Sequence, residues 1–274
     1  MSDAAAASPS PVTLLQAAAD AWAAAPVVGD PLFWAIAVPS VLLMGLAKSG
    51  FASGFGSLTT PMMALVLPVP QAAAIMLPLL LVMDAIGLQQ LWRDRDPALL
   101  RQLLPWGLAG TAIGTLLFGV LSTATVSGVV GALTLLFLAQ RLLFRPRADA
   151  PPPRRWVGAA SAAAAGFTSF VAHAGHPPLA AYVLPLRMQP RRLAGTLAVF
   201  FAALNLSKWI PYAALGLIDL RNLATSLLLM PLAPLGVWAG VWLVRRVSAT
   251  WFYRLAYAGM ALTGLKLLSD GLRG

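Results

Sequence analysis

Residues 156–186 contain no Asp, Glu, Lys or Arg, a run long enough to cross a bilayer. In its middle stands Gly166-Phe167-Thr168-Ser169-Phe170-Val171-Ala172-His173-Ala174-Gly175-His176-Pro177-Pro178, which carries the only two histidines of the chain. Gly, Ser, Thr, His and a double Pro do not continue a straight helix through lipid. Backbone groups freed there need protein or a watery cavity, so a break at membrane depth lines a site. The stretch Gly50-Phe51-Ala52-Ser53-Gly54-Phe55-Gly56-Ser57-Leu58-Thr59-Thr60-Pro61 has the same design. A shift of 116 positions puts Gly50 on Gly166, Phe51 on Phe167, Ser53 on Ser169 and Pro61 on Pro177. These read as two copies of one broken-helix element facing each other.

Composition agrees with a chain that lives in lipid. Of the 274 residues 59% are hydrophobic and 10% charged, where a soluble domain carries about a quarter charged. The expected class is an all-α polytopic membrane protein. No Cys is present, so disulfides and thiolate metal sites are excluded, and all nine acidic residues are Asp. The net charge of +10 sits in short loops between apolar runs, the positive-inside pattern, and does not point to nucleic acid. Residues 1–30 are Ala- and Pro-rich with no basic start, so they read as an N-terminal extension with a surface helix at 11–25 and not as a cleaved signal.

Taken in order, an apolar run at 31–47 meets Lys48 and the first break. A short piece at 61–67 and a Pro-Val-Pro turn at 68–70 follow. Neither piece alone reaches the ~20 residues of a span, so together they form a broken or re-entrant hairpin. Full spans are expected at 71–92, 103–121 and from near Ser122 to Phe144. The basic, Pro-rich stretch 145–155 separates a first repeat (31–144) from a second (156–270). The second repeat has its own hairpin around the second break, with spans at 193–214, 223–244 and 250–268. With the Arg-rich loops at 93–101, 141–155, 187–192 and 245–246 in the cytoplasm, each half is a hairpin plus three full spans. An odd number of full spans per half inverts the second relative to the first, and both termini fall on the non-cytoplasmic side. Looser matches support the repeat: Leu100-Arg101-Gln102-Leu103 resembles Leu220-Arg221-Asn222-Leu223, and Asp84 falls opposite Asn205.

Ionisable groups inside a membrane are costly and mark function. Lys48 precedes the first break, Lys208 lies in an apolar span, and Asp84 is the one carboxylate at that depth. Two lysines and two histidines facing one Asp favour an anionic ligand. The competing reading has each lysine reaching an interface, and Asp84 serving either as a lysine's partner or as a proton carrier. His173 and His176 are candidate ligand contacts; as metal ligands they would need Asp84 as a third. Ser53, Gly54, Ser57, Thr59, Thr60 and Ser169 offer hydroxyls and freed backbone. Helices restarting near Pro61 and Pro177 would turn positive ends inward. With Asn205, these residues make up the candidate binding set, and no cofactor is expected.

At these residues the sequence resembles the TauE/SafE sulfite exporter family. The likeness rests on G-F-x-S-G-x-G-x-x-x-x-P at Gly50–Pro61, G-F-x-S-x-x-x-H-x-x-x-P at Gly166–Pro177, the two-repeat layout and the basic central linker. It implies movement of small sulfur anions: sulfite, sulfonates such as sulfoacetate or sulfolactate, thiosulfate or sulfate. Many members carry Gly-Gly-Gly in the first motif, where this chain reads Ser53-Gly54-Phe55-Gly56. The absence of Cys speaks against thiol contacts to thiosulfate.

The combined reading is a secondary transporter of a bacterial inner membrane, not an enzyme, that binds a sulfur oxyanion between two inverted hairpins and moves it by alternating access. No nucleotide-binding P-loop is present. Its partners are that anion, the lipid bilayer and, through Gly110-x-x-x-Gly114 or Gly236-x-x-x-Gly240, a second copy in a homodimer; the same Gly pairs equally serve contacts within one chain. The alternatives are an intramembrane metal-dependent enzyme using His173 and His176, a passive anion channel, and a carrier of carboxylates or cations.

Overall fold

The computed structural model describes residues 30–48, 56–118, 120–143, 153–243 and 249–273. Among them every regular element is helical. In chain order these are α1 (Pro31–Lys48), α2 (Gly56–Met63), α3 (Val69–Leu91), α4 (Pro97–Phe118), α5 (Thr123–Leu143), α6 (Arg155–Ala172), α7 (His176–Val183), α8 (Pro190–Ser207), α9 (Trp209–Ala214), α10 (Leu220–Leu229), α11 (Leu232–Leu243) and α12 (Ala249–Arg273). The expected surface helix at 11–25, most of the linker at 145–155 and the loop at 245–246 lie outside the described residues.

Among the described residues four helical stretches are long and apolar enough to cross a membrane: Pro31–Lys48, Val69–Asp94, Thr123–Gln140 and Pro190–Ala214. A fifth is the pair α10–α11, bent by 42° where the helix breaks at Met230 and Pro231. The expected full span at 223–244 thus contains a break, as a broken span or a re-entrant loop does. Its Pro231 lacks the N–H that a continuous helix needs. The spans expected at 103–121 and 250–268 are helices of 22 and 25 residues, but they are not among the five.

The two breaks differ from their expected extents. Gly166 to Ala172 does not break the helix; α6 runs through it and stops only at His173. Thr168 bonds its hydroxyl to Ala164 O at 2.9 Å, as Ser and Thr do inside membrane helices. Gly166 is where α6 meets α4: a Cβ there would stand 1.9 Å from Gly107 O. What reads as a helix breaker is here a close-approach residue. Likewise α2 restarts at Gly56, ahead of Pro61, which is buried inside it. Of the first break, residues 49–55 lie outside the described region. The helices thus do not follow the 116-residue offset: α1 and α6 are offset by 124 (155 − 31) and are each 18 residues long. For α2 and α7 the offset is 120 (176 − 56), and each has 8 residues.

α3 sits at the centre, with Ala72, Ala73, Ile75, Met76, Leu77 and Leu79 fully buried. It packs on α8, α10 and α11, and also touches α1, α2, α5 and α6. Around it α4 pairs with α6, α11 with α1, and α5 with α12. Glycines allow these approaches: Gly110 against Ala163, Gly45 against Gly236, and Gly131 against Leu268. The outer faces carry exposed apolar side chains such as Leu116, Leu136, Ile210, Trp238 and Leu265, the surface a bilayer would cover. At one end Arg191 pairs with Asp94 at 2.8 Å and Arg192 with Asp96 at 3.0 Å. The loops at 93–101 and 187–192 therefore share a face.

Candidate functional site

The site begins with the break after α6. His173 takes left-handed backbone angles, φ 52° and ψ 25°, a conformation costing a non-Gly residue ~1–2 kcal/mol. Side-chain bonds hold it there. Nε2 of the ring lies 2.9 Å from Ala73 O on α3, and Nδ1 lies 3.1 Å from Lys208 Nζ. Lys208, between α8 and α9, has no exposed surface. Its ammonium also donates to Ser169 O at 2.7 Å, Ser169 Oγ at 2.8 Å and Asn205 Oδ1 at 2.9 Å. The carbonyl end of α6 is thus held by a cation, as the helix dipole favours. Lys208 neither reaches an interface nor pairs directly with a carboxylate.

From Lys208 the network continues through Asn205, whose amide Nδ2 donates to Asp84 Oδ2 at 2.6 Å. Asp84 Oδ1 is bound by Lys48 at the end of α1. The Asp84 side chain is 3% exposed and that of Lys48 20%, and the Lys48 ammonium also lies 5.8 Å from the Phe201 ring centre. The sequence match that set Asp84 opposite Asn205 corresponds to a direct hydrogen bond between α3 and α8.

These groups border a cavity of about 200 Å³. Of the candidate binding residues, Lys48, Ser57, Ser169, His173, His176 and Asn205 line it, as does Asp84, the expected charge partner or proton carrier. His176 stacks on Phe201 with ring centres 5.8 Å apart. Lys208, Thr59 and Thr60 are not part of the wall. Thr59 bonds back to Gly56 O at 2.8 Å, and the buried Thr60 hydroxyl meets no partner among the described residues. Ser53 and Gly54 fall in the first break, outside those residues. The wall also includes Met44, Gly56, Met83, Gly87 and Phe201, side chains that sequence reasoning had no charge or hydroxyl to flag.

Both short helices begin at this cavity, at Gly56 and His176. Their ends are chemically unequal. In α2 the residues Gly56 to Thr59 all carry N–H groups, whereas α7 opens His176-Pro177-Pro178 and lacks two of them. The expected inward donors are therefore concentrated on α2.

From the charged groups the cavity extends to Leu91, Leu184, Pro190 and Leu193, close to the ion-paired loops. Phe170, next to Ser169, stacks edge to face on Phe118 and Tyr212, with centroids 5.6 and 5.1 Å apart. Tyr212 donates its hydroxyl to Phe170 O at 2.6 Å. A metal centre is not supported: among the described residues no three His, Cys, Asp or Glu side chains converge. Both ring nitrogens of His173 are moreover taken by Ala73 and Lys208.

An all-helical bundle with apolar outer faces, holding a small cavity whose mostly apolar wall carries Lys48, Asp84 and both histidines, defines a polytopic membrane protein built around an internal site. The chain belongs to the TauE/SafE family, described as Sulfite exporter TauE/SafE, whose sequence profile matches residues 37–267. No curated protein and no solved structure matches it. The family is one of transporters and not of enzymes, so the chain is a membrane protein of sulfur-anion export.

Proposed function

We propose that this protein is a secondary transporter that binds sulfite or a C2–C3 organosulfonate in the cavity between α2 and α7 and carries it by alternating access. The observation that carries the reading is the buried Lys48–Asp84–Asn205–Lys208 network. It holds one lysine and one carboxylate at the cavity and a second lysine behind its wall, so an added anion improves the charge balance. An anion is further favoured by the N-terminal end of α2 and by the hydroxyls of Ser57 and Ser169. Ligand contacts are assigned to Lys48, Ser57, Ser169, His176 and Asn205, with His173 and Lys208 fixing the wall.

Relative motion of two inverted halves is supported by the way the helices pair. α1 rests on α11 as α6 rests on α4, and α3 meets α8 and α5 meets α12 across the middle. Exchanging the halves maps each of these four contacts onto another or onto itself, the pattern that a two-repeat carrier uses to expose one site to each face in turn.

The test is binding and counterflow with purified protein in liposomes, using sulfite, sulfoacetate, taurine, thiosulfate, sulfate and acetate. Saturable exchange of a sulfonate or sulfite, lost in His176→Ala and Lys48→Gln, is the expected result. No saturable exchange of any sulfur anion by folded wild-type protein would refute the reading. Current that grows without saturation would assign a channel instead.

A further inference from the structure

Resting on the reading just given, the hydrogen-bond geometry constrains the ligand's charge as well as its sign. Nε2 of His173 faces the carbonyl of Ala73, so that nitrogen carries the hydrogen and Nδ1 presents a lone pair to Lys208. Asn205 gives its amide to Asp84, which turns its oxygen to Lys208. Lys208 Nζ therefore meets three obligate acceptors, Ser169 O, Asn205 Oδ1 and His173 Nδ1. Only three N–H bonds satisfy them, which makes Lys208 an ammonium.

The surrounding helices complete the tally. α1 brings Lys48, α3 brings Asp84, α6 brings His173, α7 brings His176 and the α8–α9 junction brings Lys208, whereas α2 and α11 carry no ionisable residue. Lys48 and Asp84 cancel. At a pH where His176 adds no charge, one positive charge remains, held by a side chain with no exposed surface that does not touch the cavity. A buried net charge is unfavourable in surroundings that solvate it poorly. One negative charge in the cavity removes it; two leave an excess of the opposite sign beside Asp84.

We propose that the site selects singly charged oxyanions over dianions of the same size, with Lys208 setting that balance from behind the cavity wall. Hydrogen sulfite and monosulfonates belong to the favoured class, while sulfate, the sulfite dianion and fully ionised sulfoacetate do not. Lys208 is a positioning and charge-setting residue, and Lys48 is the cation that meets the ligand.

The test uses two size-matched pairs on the purified full-length protein in detergent at pH 8, where an unperturbed imidazole is neutral. The pairs are methanesulfonate against sulfate and isethionate against sulfoacetate, titrated calorimetrically. The expected result is tighter binding of each monoanion by about tenfold or more, each tenfold being ~1.4 kcal/mol. Asp84→Asn adds one net positive charge and is expected to reverse both orders. Asn205→Asp removes one and is expected to weaken the monoanions, which provides a second variant if the first does not fold. A dianion bound as tightly as its monoanion by wild type overturns the inference, as does an unchanged order in folded Asp84→Asn. Sulfite binding with no measurable affinity for either pair also overturns it while leaving the proposed function standing. No binding of sulfite or of any probe counts against the proposed function itself.

Discussion

At the residue scale, the decisive fact is where Lys208 spends its three hydrogens. A lysine in an apolar span suggests either a counter-ion or an escape to the interface, and this one does neither: it is solvated by a carbonyl, an amide and an imidazole. Removing one member of a buried ionic network typically costs ~3–5 kcal/mol, because the partners remain buried without their bonds. Lys208→Met is therefore expected to lower thermal stability in detergent sharply and to weaken anion binding. Lys48→Met, at a 20% exposed side chain, should weaken binding with a smaller loss of stability. Equal stability losses in the two variants would contradict this division of roles. Much of this chemistry was legible in the sequence, since Asp84, Lys48, Lys208 and the histidines are conspicuous in apolar surroundings. Their pairing was legible only in part. Lys48 with Asp84 follows from charge, but Lys208 wrapping the end of α6 depends on the tertiary meeting of α6 and α8. His173 in the left-handed region has no local signal such as Gly or Asn.

At the element scale, glycine is the residue whose meaning depends most on its neighbours. Gly166 reads as a helix breaker from its company of Thr, Ser and His, and in the fold it is a contact point on a continuous helix. Its role resembles that of Gly110, where a Cβ would lie 1.9 Å from Ala163 O. Backbone cannot yield as a flexible side chain does, so Gly110→Ala is expected to cost at least the ~1–3 kcal/mol typical of overpacking. The readout is the melting temperature in detergent. Gly87 on α3 provides the contrast, because nothing lies within 4 Å of a Cβ there. Gly87→Ala should be neutral or stabilising by up to ~1 kcal/mol, the helix-propensity gain. Because Gly87 lines the cavity, the same methyl takes space from the ligand. The variant should retain sulfite and lose affinity first for the longest sulfonate that wild type accepts. Uniform loss for all ligands would place Gly87 elsewhere in the mechanism.

At the scale of the whole molecule, the repeat was legible as a pattern but not in register. Gly- and Pro-rich motifs match at one offset and helices at two others, because α2 starts eight residues after the end of α1 and α7 four after the end of α6. Charge bias is the more robust guide. The basic loops at 93–101 and 187–192 meet through Asp94–Arg191 and Asp96–Arg192, exposed pairs that solvent screens and that add little stability. Their meeting nevertheless places both loops on one face. α4 has 22 residues and so spans about 33 Å at 1.5 Å per residue, enough to set residues 93 and 122 on opposite sides of a ~30 Å hydrocarbon core. The chain has no native Cys, so single cysteines report this directly. Arg93→Cys and Ser122→Cys, both at exposed positions, should react with a membrane-impermeant maleimide from opposite sides of oriented vesicles. Ala194→Cys, in the cavity wall between the charged groups and the paired loops, should react from the Arg93 side and be protected by bound anion. If the halves rock, a saturating substrate gradient should let the same cysteine react from the Ser122 side as well, once the Phe118–Phe170–Tyr212 stack parts. Reaction of Arg93→Cys and Ser122→Cys from one side would break the topology. Reaction of Ala194→Cys from the Arg93 side alone, under every gradient, would leave the topology intact and remove alternating access.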